Sequence, residues 1–141
     1  MSARAKPAAL FVCVKNGGKS QMAAGLMKAR AGSQIEVSSA GTQPGSKINS
    51  LSAEVLLEQG IDITTEHPKQ LTEDAMRQAG LVVVLGREAE VPPTDGVEIE
   101  VWELDEPSSR GIDGRERMLL VRDEISRRVA DLASRLLSPK N

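Results

Sequence analysis

The sequence predicts a single α/β domain, a parallel sheet covered by helices on both faces in a three-layer sandwich. Three observations predict it. Short apolar runs alternate with segments of helical periodicity, and Leu81–Leu85 is the clearest of these runs. The chain has 141 residues, 40% hydrophobic and 27% charged, a size and mix suited to one buried core. No linker-like stretch, internal repeat or low-complexity tract interrupts it, so residues 1–141 read as one domain.

The elements follow in chain order. Residues 10–14 are a short apolar run, as expected of a strand covered on both faces. Two charges precede it, but it ends in Lys-Asn-Gly-Gly-Lys rather than a small-residue cleavage site, so it reads as the first strand and not a signal peptide. Residues 20–30 are helical, with Met22 and Leu26 four apart and Gly32 as the stop. Residues 35–38 form a second strand, and residues 39–45 a loop. Asn49 or Ser50 caps a helix running to Gln59, stopped by Gly60, and Thr72 caps a short helix to about Ala79. After the Leu81–Leu85 strand, residues 97–101 alternate apolar and acidic side chains, an edge strand with one wet face. Met118, Val121, Ile125, Val129, Leu132 and Leu136 form one stripe of a long terminal helix. The charged residues among them, Asp113, Glu116, Asp123, Glu124 and the neighbouring arginines, read as its wet face.

Composition removes several function classes. A net charge of −2 argues against a nucleic-acid footprint. Phe11 and Trp102, the only aromatics, give no stacking platform for bases, and Trp102 reads as core or rim packing. A single cysteine, Cys13, and a single histidine, His67, leave no disulfide and no thiolate-rich or multi-histidine metal site. No apolar run approaches the ~20 residues of a membrane span. An unpaired thiol fits the reducing cytoplasm.

The informative segment is Cys13-Val14-Lys15-Asn16-Gly17-Gly18-Lys19-Ser20. A nucleophile stands at the carboxyl end of the first strand, where open α/β sheets bind ligands. The loop after it runs into a helix N-terminus, and its paired glycines let backbone N–H groups of residues 14–20 point inward at an anion. Asn16 suits a tight turn in this loop. Lys19 adds a positive charge, which with the helix end favours a Cys13 thiolate, and Ser20 can donate a hydrogen bond to it. Lys15 reads as a solvated charge that steers anions. The loop narrowly misses the nucleotide-binding pattern G-x-x-x-x-G-K-[ST], with Cys13 in the place of the first glycine; no strand ends in the acidic residue that would help hold magnesium. A small buried hydrophobe is the bland reading of Cys13, and the Gly-Gly-Lys-Ser that follows argues against it.

Cys13-x5-Lys19-Ser20 resembles the C-x5-R-[ST] phosphate loop of low-molecular-weight protein tyrosine phosphatases and of the arsenate reductases built on their fold. The wider match is to the arsenate reductases: Phe11-Val-Cys-Val14, Asn16, Ser20-Gln-Met-Ala23, Ser38-Ser-Ala-Gly-Thr42, Gly60-Ile-Asp-Ile63, Pro68-Lys69 and Val121-Arg-Asp-Glu-Ile125 occur in that family's order. The resemblance implies a four-stranded parallel sheet, a Cys13 nucleophile, and Ser39 and Thr42 as supports of the loop. It gives His67, a surface-loop residue, no role.

Three departures refine it. Lys19 replaces the family arginine, a point charge in place of a fork. Glu106 stands before Pro107 where Asp-Pro is usual, so Glu106 and Asp105 are both candidates for the acid. The two further cysteines of thioredoxin-coupled relatives are absent. With the Gly-Gly-Lys-Ser loop and the Glu-Pro, this pattern resembles the arsenate–mycothiol transferases, which implies that Cys13 attacks arsenate, that mycothiol takes the arsenic as co-substrate, and that a mycoredoxin completes the reduction. That chemistry implies no metal and no tightly bound cofactor, with phosphate or sulfate as mimics of arsenate. Two other readings share the loop: a phosphomonoester or protein tyrosine phosphatase, and a catalytically weak oxyanion-binding or redox-sensing module.

Overall fold

The computed structural model describes residues 6–138, and the domain ends beyond them, residues 1–5 and 139–141, lie outside the described residues. The chain runs β1 (Ala8–Cys13), α1 (Lys19–Ala31), β2 (Glu36–Gly41), α2 (Ser50–Leu57), α3 (Glu73–Ala79), β3 (Leu81–Leu85), β4 (Glu98–Trp102) and α4 (Gly114–Leu137), with 3-10 turns at Gly32–Gln34 and Pro107–Arg110. The four strands are all parallel, in the order β2-β1-β3-β4.

Strand periodicity divides the core into two layers. Ala9 and Phe11 of β1 and Val83 and Leu85 of β3 face α1, α2 and α4, where they meet Met22, Leu26, Val55 and Ile125. Leu10 and Val12 with Val82 and Val84 face α3 and its Met76 and Ala79. Each fully buried side chain of this size contributes about 1.5–3 kcal/mol. Phe11 and Trp102 lie with ring centroids 5.9 Å apart, and Trp102 is buried.

Local chemistry sets the helix ends. Asn49 caps α2 by accepting from the Ser52 N–H, and Thr72 caps α3 by accepting from the Ala75 N–H. Gly32 and Gly80 follow α1 and α3 with φ of 56° and 76°. α2 ends at Leu57, two residues short of Gln59.

Two expectations need correction. Residues 39–41 belong to β2 rather than to a loop, because β1 offers them a parallel partner as far as the Cys13–Gly41 pair. The faces of β4 are also mixed: Val101 is exposed, whereas Glu100 is half-buried between Trp102 Nε1 (2.7 Å) and the Arg135 guanidinium (2.7 Å). Arg135 and Arg128 of α4 reach this edge strand at Glu100 and Trp102, while α3 packs on β1 and β3.

The chain leaves β1 for β2 on one side and crosses back to β3 on the other. Loops after β1 and β3 therefore diverge, and a crevice opens at the carboxyl end of β1. Cys13 is the last residue of that strand.

Candidate active site

Residues 13–18 form a loop whose carbonyls are taken from outside. Thr42 N–H donates to Cys13 O (3.1 Å), Gln43 N–H to Val14 O (2.8 Å), Gly45 N–H to Lys15 O (3.0 Å) and Asn49 N–H to Gly17 O (2.7 Å). Of the other two, Asn16 O accepts from Gln21 Nε2 at 3.1 Å and Gly18 O from the Met22 N–H at 2.9 Å. In a trans peptide the N–H points opposite to its carbonyl. The N–H groups of Val14, Lys15, Asn16, Gly17 and Gly18 are thus turned to the inner side. Asn16 N–H lands there on Cys13 Sγ, at 3.2 Å.

Asn16 is the keystone of the loop. It has φ of 54°, in the left-handed region that asparagine tolerates, and it is fully buried. Its Oδ1 accepts from the Lys69 N–H (2.9 Å) and Gln21 Nε2 (3.2 Å), which fixes the orientation of the amide. Its Nδ2 therefore donates to Ser20 Oγ at 2.7 Å. The Ser20 hydroxyl lies 3.0 Å from Cys13 Sγ, with either atom able to donate. The Asn16 N–H and the Ser20 hydroxyl can thus both offer hydrogen to the sulfur, as a thiolate nucleophile requires. The glycine at 41 makes room for the loop: a Cβ there would stand 2.6 Å from Val14 O and 3.0 Å from Asn16 N.

Cys13, Val14, Lys15, Gly17, Gly18 and Lys19 line a cavity of about 820 Å³, which Arg117, Met118 and Val121 of α4 line as well. Lys19 opens α1 and lies 3.9 Å from Glu106 Oε1. The Glu106 carboxylate is gripped by Arg117, Nε to Oε2 at 2.6 Å and Nη2 to Oε1 at 2.8 Å, and it also accepts from the Ser108 N–H and hydroxyl. The Arg117 hydrogen bonds, aided by Ser108, hold its pKa down at about 2, so the side chain is an anion at neutral pH.

The structure brings Cys13, Lys19 and the loop into one cavity, sets Ser20 against the sulfur, and places Glu106 against Lys19 and Arg117. Asp105 is turned elsewhere: it is exposed, its carboxylate pairs with Arg110 at 2.7 and 2.9 Å, and this pairing lowers its pKa. Thr42 meets the loop through its backbone N–H rather than its side chain. Ser39 is buried in β2 opposite Phe11, two positions before the loop-facing Gly41. His67 is exposed and offers Gln21 its backbone carbonyl. No group of three or more His, Cys, Asp or Glu residues suited to a metal occurs among the described residues.

Sequence reasoning passed over Gln21, Gly41 and Arg117. The first two lie within motifs that it quoted. Arg117 corrects the wet-face reading of α4, since it lines the Cys13 cavity and its guanidinium is bound to Glu106. Its signal was its place one residue before Met118, at the margin of the apolar stripe.

A parallel sheet that ends in a cysteine-floored anion loop defines the class. The chain belongs to the low molecular weight phosphotyrosine protein phosphatase family, whose sequence model matches residues 8–140. Within that family its relatives include arsenate reductases. The arsenate reductase of Halalkalibacterium halodurans is 33% identical over 129 residues, covering 87% of this chain and 92% of the relative. Among solved structures, a thioredoxin-dependent arsenate reductase of Corynebacterium glutamicum is 34% identical with a TM-score of 0.80, over 96% of this chain. This chain spans only 64% of that protein's length. An arsenate reductase in its phosphate-binding state is 26% identical with a TM-score of 0.80, covering 92% of this chain and 98% of that one. Among the described residues no helix is long and apolar enough to cross a membrane.

Proposed function

We propose that this protein is an arsenate reductase that passes arsenic from Cys13 to an external low-molecular-weight thiol, mycothiol. The observation that carries this reading is a lone cysteine whose sulfur faces inward-turned amides. An adduct on that sulfur has no second cysteine to resolve it within these 141 residues.

The steps follow from the geometry. Arsenate sits against the loop N–H groups and Lys19. The Cys13 thiolate bonds to arsenic as an As–O bond breaks, and the leaving oxygen takes a proton and departs as water. Glu106, beside Lys19, is the better placed carboxyl to relay that proton, which it takes up from solvent once its pair with Arg117 opens; Asp105 faces Arg110 instead. The mycothiol sulfur then bonds to the pentavalent arsenic as the Cys13–arsenic bond breaks. A mycoredoxin thiolate finally attacks the conjugate's sulfur, and the S–As electron pair passes to arsenic, giving arsenite and a mixed disulfide. No metal or bound cofactor enters these steps. They need a supply of reduced thiols, and hence the cytoplasm.

Mixing the protein with arsenate, mycothiol, mycoredoxin and an NADPH-coupled reductase should consume NADPH, and Cys13→Ser should stop it. Equal consumption by Cys13→Ser overturns the reading. The same assay with glutathione or thioredoxin in place of mycothiol identifies the thiol. Vigorous turnover of an aryl phosphate instead would make the chain a phosphatase, and tight oxyanion binding without turnover under any thiol would make it a binding module.

A further inference from the structure

We propose that Arg117 is an oxyanion-binding residue of this site, and that Glu106 occupies its guanidinium as an internal anion until the oxyanion displaces it. The inference rests on the reading of residues 13–20 as an anion loop, and adds a residue of α4 that lines the same cavity.

Charge inside the cavity leads to it. The loop's own cation, Lys19, is an ammonium, a point charge that cannot give a tetrahedral oxyanion two parallel hydrogen bonds. A guanidinium can, and the arginine among the residues lining the Cys13 cavity is Arg117. Its side chain is 27% exposed, enclosed enough to strengthen a charge-assisted bond yet open to exchange. Its fork is already set for a planar anion, since Nε and Nη2 each hold one oxygen of Glu106. Lys19 approaches the same carboxylate from the loop at 3.9 Å. Two cations that line the cavity, Lys19 and Arg117, thus converge on one anion.

An arriving oxyanion offers both cations an anion of equal or greater charge, held in addition by the loop amides. Arg117 then turns from Glu106 to the oxyanion. The freed carboxylate stands beside a second anion, which raises its proton affinity and readies it as an acid. One exchange would complete the binding site and arm Glu106.

The rival account is that Arg117 only holds Glu106 in place. A double-mutant cycle separates them. Binding of inorganic arsenate, with phosphate as a second probe, is measured by calorimetry and by protection of Cys13 from alkylation. Glu106→Gln should bind several-fold more tightly than the unmutated protein. Adding Arg117→Met to Glu106→Gln should weaken binding at least fivefold relative to Glu106→Gln alone, with Arg117→Lys in between. Lys19→Arg, which restores a fork on the loop, should shrink the Arg117→Met effect below twofold. Equal affinity of Glu106→Gln with and without Arg117→Met overturns the inference and leaves the anion loop standing. No binding by the unmutated protein overturns the loop reading, and this inference with it.

Discussion

The two walls of the Cys13 cavity are built on different physics. The loop wall, residues 13–20, is closed by neutral hydrogen bonds: Asn16, Ser20 and Gln21 are all but inaccessible to water, and each loop carbonyl from Cys13 to Gly17 has a partner. The α4 side, where Arg117 lines the cavity and pairs with Glu106, is held by ion pairs whose side chains remain 27–40% exposed. A buried network has one satisfied arrangement, and leaving any member unpaired is costly. An exposed ion pair contributes little and trades partners readily. The first wall is preorganised for an oxyanion, whereas the second can change hands when one arrives.

The sharpest way to break this comparison is Asn16→Ala. The substitution leaves the Lys69 N–H short of an acceptor, while Gln21 keeps the Asn16 and His67 carbonyls, and it puts alanine at φ of 54°. Unmet buried donors cost about 1–3 kcal/mol, and the left-handed backbone adds about 1 kcal/mol. A loss of about 3 kcal/mol in urea unfolding is expected. Arsenate reduction should fall roughly 100-fold, because Ser20 and the loop amides lose their alignment on the sulfur. Wild-type stability for this variant would mean that the loop is not a closed network.

Gly41→Ala tests the same wall by crowding. Its Cβ would meet Val14 O at 2.6 Å, and that carbonyl is pinned by the Gln43 N–H at 2.8 Å. Neither side is a flexible side-chain end, so the backbone must move, at a cost of about 1–3 kcal/mol. Gly45→Ala is the control: its Cβ would meet nothing nearer than the Lys15 Cβ, at 3.8 Å. Paired thermal melts and turnover assays should separate the two, with Gly41→Ala impaired and Gly45→Ala close to the parent.

The contrast between the walls also explains what could be read in advance. Leu81–Leu85 and the Asn49 and Thr72 caps are local matters, settled by β-branched runs and by side chains reaching their own backbone. The loop was legible because cysteine, two glycines, lysine and serine lie within eight positions. Its supports were not, because they come from afar: the Lys69 N–H lies 53 positions beyond Asn16 in the chain. Hydropathy hid the second wall. A pattern that assigns every charge on α4 to water cannot distinguish Arg117, which lines the cavity, from the arginines around it. The same rule sent Glu100 outward, although Arg135 and Trp102 draw it in.

The smallest effect concerns the second wall in acid. Unfolded, the Glu106 carboxyl takes its proton near 4.5, and folded only near 2. Between those values the unfolded chain binds more protons, so falling pH favours unfolding. The stabilisation is complete above about 4.5 and drains away as pH drops toward 2. The carboxylate is 40% exposed, so solvent screening reduces the contribution to about 1 kcal/mol. Asp105 and Glu100 carry lowered pKa values of their own, so the measurement is the difference between the parent and Glu106→Gln. Urea midpoints of the two should differ most at neutral pH and converge toward pH 2. Added salt should narrow the neutral-pH gap, because the pair is reachable by ions. A gap that persists unchanged in both acid and salt would show Glu106 to be locked in place like Asn16, and the two walls would then be alike.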